Sequence, residues 1–209
     1  MKITIEDIRK HLTYRLPGEE AHIPMSPSGR GRSSEAIKHA INYRKSAVAF
    51  VIYEKNKVLK GILTERSPYR GMHSGEVCLP GGKMEISDTD LKQTAIRETV
   101  EEIGLKYEGF ELLGELTPVF IPVSNFSIQP YVFYYTEPPT FIPNIREVAE
   151  IFSFPIHQLF DEKIIKKTRI ELSGRRVLDD IPYFEINNKV VWGATALILH
   201  EFKKMFSND

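Results

Sequence analysis

Glu98, Glu101 and Glu102 stand close together in the run Arg97-Glu98-Thr99-Val100-Glu101-Glu102-Ile103-Gly104-Leu105. At about 100° per residue of an α-helix they fall within an arc of roughly 100° and share one face. Ala95, Ile96, Thr99, Val100 and Ile103 fill the adjacent arc, so such a helix buries one side and carries its carboxylates along the edge of the buried surface. Three like charges at this spacing repel one another by about a few tenths of a kcal/mol per pair. An acidic pair alone is ordinarily a solvated face. The segment in front of it argues otherwise: Leu79-Pro80-Gly81-Gly82-Lys83 precedes the helix, and paired glycines let backbone approach a ligand where a Cβ would obstruct. A hard divalent cation, Mg2+ or Mn2+, offsets the repulsion, because it prefers carboxylate oxygens, waters and phosphates. The expected metal ligands are Glu98 and Glu102, one turn apart, with a loop carbonyl at Gly82. Glu101 completes the site directly or through a second ion about 3.5–4 Å away.

The elements that must position these groups are legible from pattern. Residues 87–103 predict a helix with Ser87 or Asp88 as N-cap, acidic residues in the first turn and Gly104 just past its end. Residues 46–53 are a continuous apolar run with β-branched and aromatic side chains, hence a buried strand, and residues 57–66 pair with it as a second. A glycine-rich loop, residues 67–82, leads to the helix. Further strands are expected at 110–116, 128–135 and 147–154, with a last helix at 192–205. Upstream, residues 3–15 read as a short amphipathic helix, 17–34 as an extended arm and 34–43 as another short helix. Strands interrupted by few helices imply an α/β fold, a mixed sheet sandwiched by helices. Residues 1–45 are expected to form an arm with short helices packed on the same domain, which occupies residues 46–209.

The bulk properties narrow the partners. The 209 residues carry 28 Lys+Arg and 28 Asp+Glu, so no net charge advertises a nucleic acid, and any phosphate site must be local. The single cysteine, Cys78, forms no intramolecular disulfide and lacks zinc-ligand spacing; it reads as a small buried hydrophobe in a protein of the reducing cytosol. No signal-peptide pattern opens the sequence, and no stretch reaches the roughly 20 apolar residues that span a bilayer, so no membrane partner is expected. Trp192 is expected in the core.

Gly82 through Leu105 resembles the Nudix box: Gly, five residues, Glu, seven residues, then Arg-Glu-aliphatic-x-Glu-Glu-x-Gly-aliphatic. Arg97, Glu98, Glu101, Glu102, Gly104 and Leu105 match. Asp88 stands where the first Glu is usual, the gap from it to Arg97 is one residue longer, and Thr99 replaces the aliphatic residue. That expansion is similar to the coenzyme A pyrophosphatase branch, whose upstream signature is approximated by Ile62-Leu63-Thr64-Glu65-Arg66-Ser67, Gly75 and Pro80-Gly81-Gly82. Arg70 lies one position early in that signature, Gly71 stands where its second arginine belongs and Leu79 replaces Phe. Ser124-Asn125-Phe126, residues 147–152 and Trp192-Gly193-Ala194-Thr195-Ala196 also look like segments of the branch.

The resemblance implies a Nudix α/β/α sandwich that cleaves coenzyme A, or an acyl derivative, into 3′,5′-ADP and a 4′-phosphopantetheine product. Arg97 would orient a glutamate through a bidentate pair. Glu147 and Glu150 are the candidates for a general base outside the box. Arg66, Arg70, Lys83, Gly81 and Gly82 would bind the substrate, the cations holding its phosphates, and His73 reads as a surface residue near them. The partner implied is a small nucleotide of coenzyme A type, with a homodimer left open. ADP-ribose, a dinucleotide polyphosphate or a nucleoside triphosphate is the alternative substrate, and a non-catalytic nucleotide-binding domain the alternative class.

Overall fold

The apolar run at residues 46–53 lacks a polar face because both faces of its strand are covered, as expected of a strand central to a sheet. A computed structural model describes residues 3–68, 75–172 and 176–207. In chain order the elements are α1 (Ile5–Thr13), α2 (Glu19–His22), α3 (Ser33–Lys38), β1 (Arg44–Lys55), β2 (Val58–Arg66), β3 (Val77–Cys78), β4 (Gly81–Lys83), α4 (Leu91–Ile103), β5 (Phe110–Glu115), β6 (Val119–Ile121), β7 (Phe126–Tyr135), β8 (Val148–Pro155), β9 (Ile165–Leu172), β10 (Arg176–Ile186), β11 (Lys189–Val191) and α5 (Gly193–Met205).

The main sheet has eight strands in the order β3-β2-β1-β7-β5, with β4 on β1, β6 on β7 and β8 on β2. It is mixed: β1 and β7 run parallel, and the other pairings are antiparallel. Along β1, Ala47, Ala49, Val51 and Tyr53 face one way, into a cluster with Ala95, Ile96 and Ile103 of α4. Phe50 and Ile52 face the other way, into the larger cluster with Leu197, Ile198 and Phe202 of α5. Phe50 meets Phe202 edge to face at 4.9 Å between ring centres. The helices therefore sandwich the sheet, which is the α/β/α arrangement expected. Ile8 of α1 and Met25 lie in the α5-side cluster, so the N-terminal segment contributes to this core.

Several features differ from the sequence reading. The carboxylate helix begins at Leu91, capped by Asp90, whose side chain accepts from Gln93 N at 2.7 Å; neither Ser87 nor Asp88 is the cap, and the first turn holds no acidic residue. Four consecutive cap-forming residues, 87–90, precede it, and only packing selects among them. Second, β9, β10 and β11 form a separate antiparallel sheet that was not anticipated. Third, Trp192 stands partly exposed at the N-cap of α5 rather than in the core. The arm at residues 17–34 is also less extended than expected, since α2 and a 3-10 turn at Ile23–Met25 fold within it. Gly104 ends α4 as predicted, with φ of 74° in the left-handed region. Among the described residues no helix is long and apolar enough to cross a membrane.

Candidate active site

Gly81 and Gly82 lie in β4, opposite Val48 and Ala47 of β1, which pins the glycine loop to the sheet. A Cβ on Gly81 would overlap the Ala47 carbonyl oxygen, and one on Gly82 would overlap the carboxylate of Glu98. The pair thus provides close approach, letting α4 set its acidic edge directly against β4. Glu102, on the same helix, is 2 % exposed. It accepts from Gly81 N at 3.1 Å, and Arg66 Nη2, from the end of β2, lies 3.9 Å away. Burial pushes its pKa up to about 7, against the pull of Arg66 and the Gly81 amide, with the charges of Glu98 and Glu147 adding to the rise. Burial raises Glu98 as well, opposed by Arg97 and reinforced by Glu101 and Glu147.

Arg97 holds the opposite end of the site. Its Nε and Nη2 donate to the two oxygens of Asp88 at 2.8 and 3.0 Å, while Nη1 donates to Glu98 at 2.9 Å and Glu101 at 3.1 Å. Nη2 also donates to the Lys83 carbonyl at 3.1 Å, tying the fork to β4. The bidentate pair anticipated from the sequence is present, but its carboxylate is Asp88 rather than a helix glutamate. Asp88 is buried and accepts further from Thr94 Oγ1 at 2.8 Å and Glu85 N at 2.9 Å. These hydrogen bonds, that of Arg97 first, hold Asp88 well below the usual carboxylate range and raise Arg97 in turn. Asp88 lies ahead of the helix start at Leu91 and reaches back to Thr94 and Arg97 on it. Thr99, where an aliphatic residue is usual, is buried with its hydroxyl donating to the Ala95 carbonyl at 2.7 Å, so its polarity is satisfied within the helix.

The two acids outside the helix part company. Glu150 faces Lys189, 2.8 Å away, together with its cross-strand neighbour Glu65, and so belongs to a clamp between β8, β2 and β11. Glu147, at the foot of β8, is near enough to Glu98 and Glu102 to raise both. Lys83 is exposed and lines a shallow open depression with Met84, Glu85, Ile86, Ser87 and Glu98. Arg70 and His73 lie outside the described residues. Cys78 is partly exposed as a residue, with its thiol 3.4 Å from Thr64 Oγ1 and raised by burial, which leaves it protonated and unsuited to nucleophilic work.

Among the described residues no three His, Cys, Asp or Glu side chains converge into a ready metal cage. Glu98 and Glu101 are drawn to Arg97, and Glu102 to Gly81. Their donor chemistry nonetheless fits a hard divalent ion. Burial raises two of these carboxylates, and the face of Gly82 beside Glu98 is kept clear of a side chain. Asp88 is the residue whose part the sequence left open; its position in the box was the only signal.

The NUDIX domain family matches residues 42–180. The chain is 33 % identical over 147 residues to the uncharacterized Nudix hydrolase NudL of Pectobacterium atrosepticum, covering 70 % of this chain and 75 % of that protein. It is 31 % identical to Nudix hydrolase 3 of Caenorhabditis elegans, covering 71 % and 67 %. A MutT/nudix family protein from Enterococcus faecalis shares the fold, with a TM-score of 0.51 at 16 % identity over 93 % of this chain and 76 % of that one. The fold and the box thus define a Nudix domain. The chain belongs to the Nudix hydrolase family, whose members generally use divalent metal ions.

Proposed function

We propose that the protein hydrolyses the pyrophosphate of coenzyme A or an acyl-coenzyme A, releasing 3′,5′-ADP and the corresponding 4′-phosphopantetheine, with Mg2+ or Mn2+. The observation that carries the metal-dependent chemistry is the buried carboxylate of Glu102, one turn from Glu98, which among the described residues meets one backbone donor and Arg66 at 3.9 Å. The upstream signature supports the substrate: Arg66, which belongs to it, stands at the end of β2 beside Glu102.

Glu98 and Glu102 would hold the metal, with Glu101 completing the set. When bound, a divalent ion supplies the charge neutralisation that a pyrophosphate demands of any nucleophile approaching it. Asp88 fixes Arg97, and Arg97 restrains Glu98 and Glu101, so this end of the site is pre-set before substrate arrives. Glu147 is tied through Asn144 to the Glu102 carbonyl, and its charge reaches Glu98 and Glu102; we assign it the proton of the attacking water. Arg66, Lys83 and Arg70 would meet the phosphates, and the side-chain-free face of Gly81 and Gly82 would let the substrate approach β4 closely.

A chromatographic product assay with coenzyme A, ADP-ribose and a dinucleotide polyphosphate, each with Mg2+ and with chelator, tests the reading. Chelator-sensitive release of 3′,5′-ADP from coenzyme A is expected. Cleavage of another substrate alone would overturn the coenzyme A assignment and keep the metal chemistry. Glu98→Gln and Glu102→Gln should each weaken Mn2+ binding in titration calorimetry; wild-type affinity in both would sink the ligand assignment.

A further inference from the structure

The loop between β7 and β8 is fastened to the C-terminal end of α4 by its backbone. Ile142 N donates to the Ile103 carbonyl at 3.0 Å, and Asn144 N to the Glu102 carbonyl at 2.9 Å. Asn144 is the hub of that loop. Its carbonyl accepts from Glu147 N at 2.9 Å and from Val148 N at 2.8 Å, and its side-chain Oδ1 accepts from Arg146 N at 3.2 Å. The amide nitrogen Nδ2 donates to Glu147 Oε1 at 3.1 Å. The orientation of this amide is fixed by chemistry: Arg146 N–H needs an acceptor and the Glu147 carboxylate a donor, so a flipped amide would lose both bonds.

One residue thus joins the main chain of Glu102 to the side chain of Glu147. Glu147 is otherwise exposed, and a free glutamate on a loop samples many rotamers. We infer that Asn144 is a positioning residue, holding the Glu147 carboxylate at a set place relative to the glutamate-bearing helix. The inference rests on the reading that Glu147 takes the proton of the attacking water. Because the bond from Asn144 N runs to the carbonyl of Glu102 and not to its carboxylate, metal binding should be largely insensitive to the Asn144 side chain.

The test uses full-length protein and whichever of coenzyme A, ADP-ribose and a dinucleotide polyphosphate the product assay selects. Asn144→Asp keeps an acceptor for Arg146 N and all three backbone bonds, but offers Glu147 a carboxylate instead of a donor. Asn144→Ala removes both side-chain bonds. Both variants should lower kcat about 10-fold, a fraction of what an acid–base residue contributes, with KM and Mn2+ affinity within about twofold of wild type. In a Glu147→Gln background, itself down about 100-fold, adding Asn144→Ala should lower kcat no further, since coupled residues are non-additive. Recovery of wild-type kcat in Asn144→Asp would overturn the inference, showing that only the turn matters. So would an undiminished loss in the Glu147→Gln background, or a parallel fall in Mn2+ affinity. Wild-type kcat in Glu147→Gln alone would instead remove the underlying reading, and is visible as a separate result.

Discussion

Glu102 on α4 and Glu201 on α5 are buried to a similar depth on opposite faces of the main sheet, 2 % and 0 % exposed. Their surroundings differ in kind. Glu201 accepts from Gly18 N, Thr117 N and His22 Nε2, each at 3.1 Å, and from Thr117 Oγ1 at 2.6 Å, so donors from the arm and from the segment before β6 meet all its oxygens' needs. Among the described residues Glu102 has one backbone donor and an arginine at 3.9 Å. Burial of a carboxylate is therefore not by itself a sign of function. A buried carboxylate whose acceptors are filled by the fold is a fastener, whereas one left short of donors stands ready for a cation.

The largest effect that follows is at the fastener. Glu201→Ala strands four donors in the core and should lower the free energy of unfolding by about 3–5 kcal/mol, measured by urea titration in chelator. The protein that remains folded should still bind Mn2+. Glu102→Gln should do the reverse, losing Mn2+ affinity without lowering stability in chelator. Comparable destabilisation in the two variants would break the comparison.

The same contrast explains what the sequence disclosed. Glu98, Glu101 and Glu102 were legible because their relation is local, three positions on one helix next to a glycine pair. The fastener was not, because Gly18, His22 and Thr117 are 183, 179 and 84 residues from Glu201, and no local spacing links them. The large sheet was read in outline from its apolar runs, but β6 is three residues long between Pro118 and Pro122 and leaves no periodicity. The sheet of β9–β11 was missed because its strands are rich in charge, and because the register breaks between Leu178 and Ile181, where Asp180 takes a φ of 56°. Asp88 was visible as a box residue, yet that it anchors Arg97 depends on a turn whose course spacing alone does not give.

A second prediction concerns pH in the absence of metal. The carboxyl of Glu102 titrates near 7 in the fold against 4.5 in the open chain, so the folded state holds its proton longer. Stability from this group is fully present below pH 4.5, declines as the pH climbs, and is gone above about 7; the difference is at most about 3 kcal/mol. Urea titrations of wild type in chelator should show this downward slope, and Glu102→Gln should flatten it. Mn2+ affinity should rise over the same interval, because the ion competes with the proton. An equal slope in Glu102→Gln would assign the effect to other groups and weaken the contrast with Glu201.

The smallest effect examines the fastener one bond at a time. Thr117→Val keeps the shape of the side chain and removes the shortest of the four hydrogen bonds to Glu201, leaving the backbone donor of residue 117 in place. The net worth of such a bond to a charged acceptor is about 1.5–3 kcal/mol; with three donors remaining, the lower end is expected, read as a shift in the urea midpoint at unchanged slope. Mn2+ affinity and kcat should stay at wild type, because the sheet separates this cluster from α4. If Thr117→Val instead altered Mn2+ binding, the two buried glutamates would be coupled through the sheet, and the division between fastener and ligand would have to be redrawn.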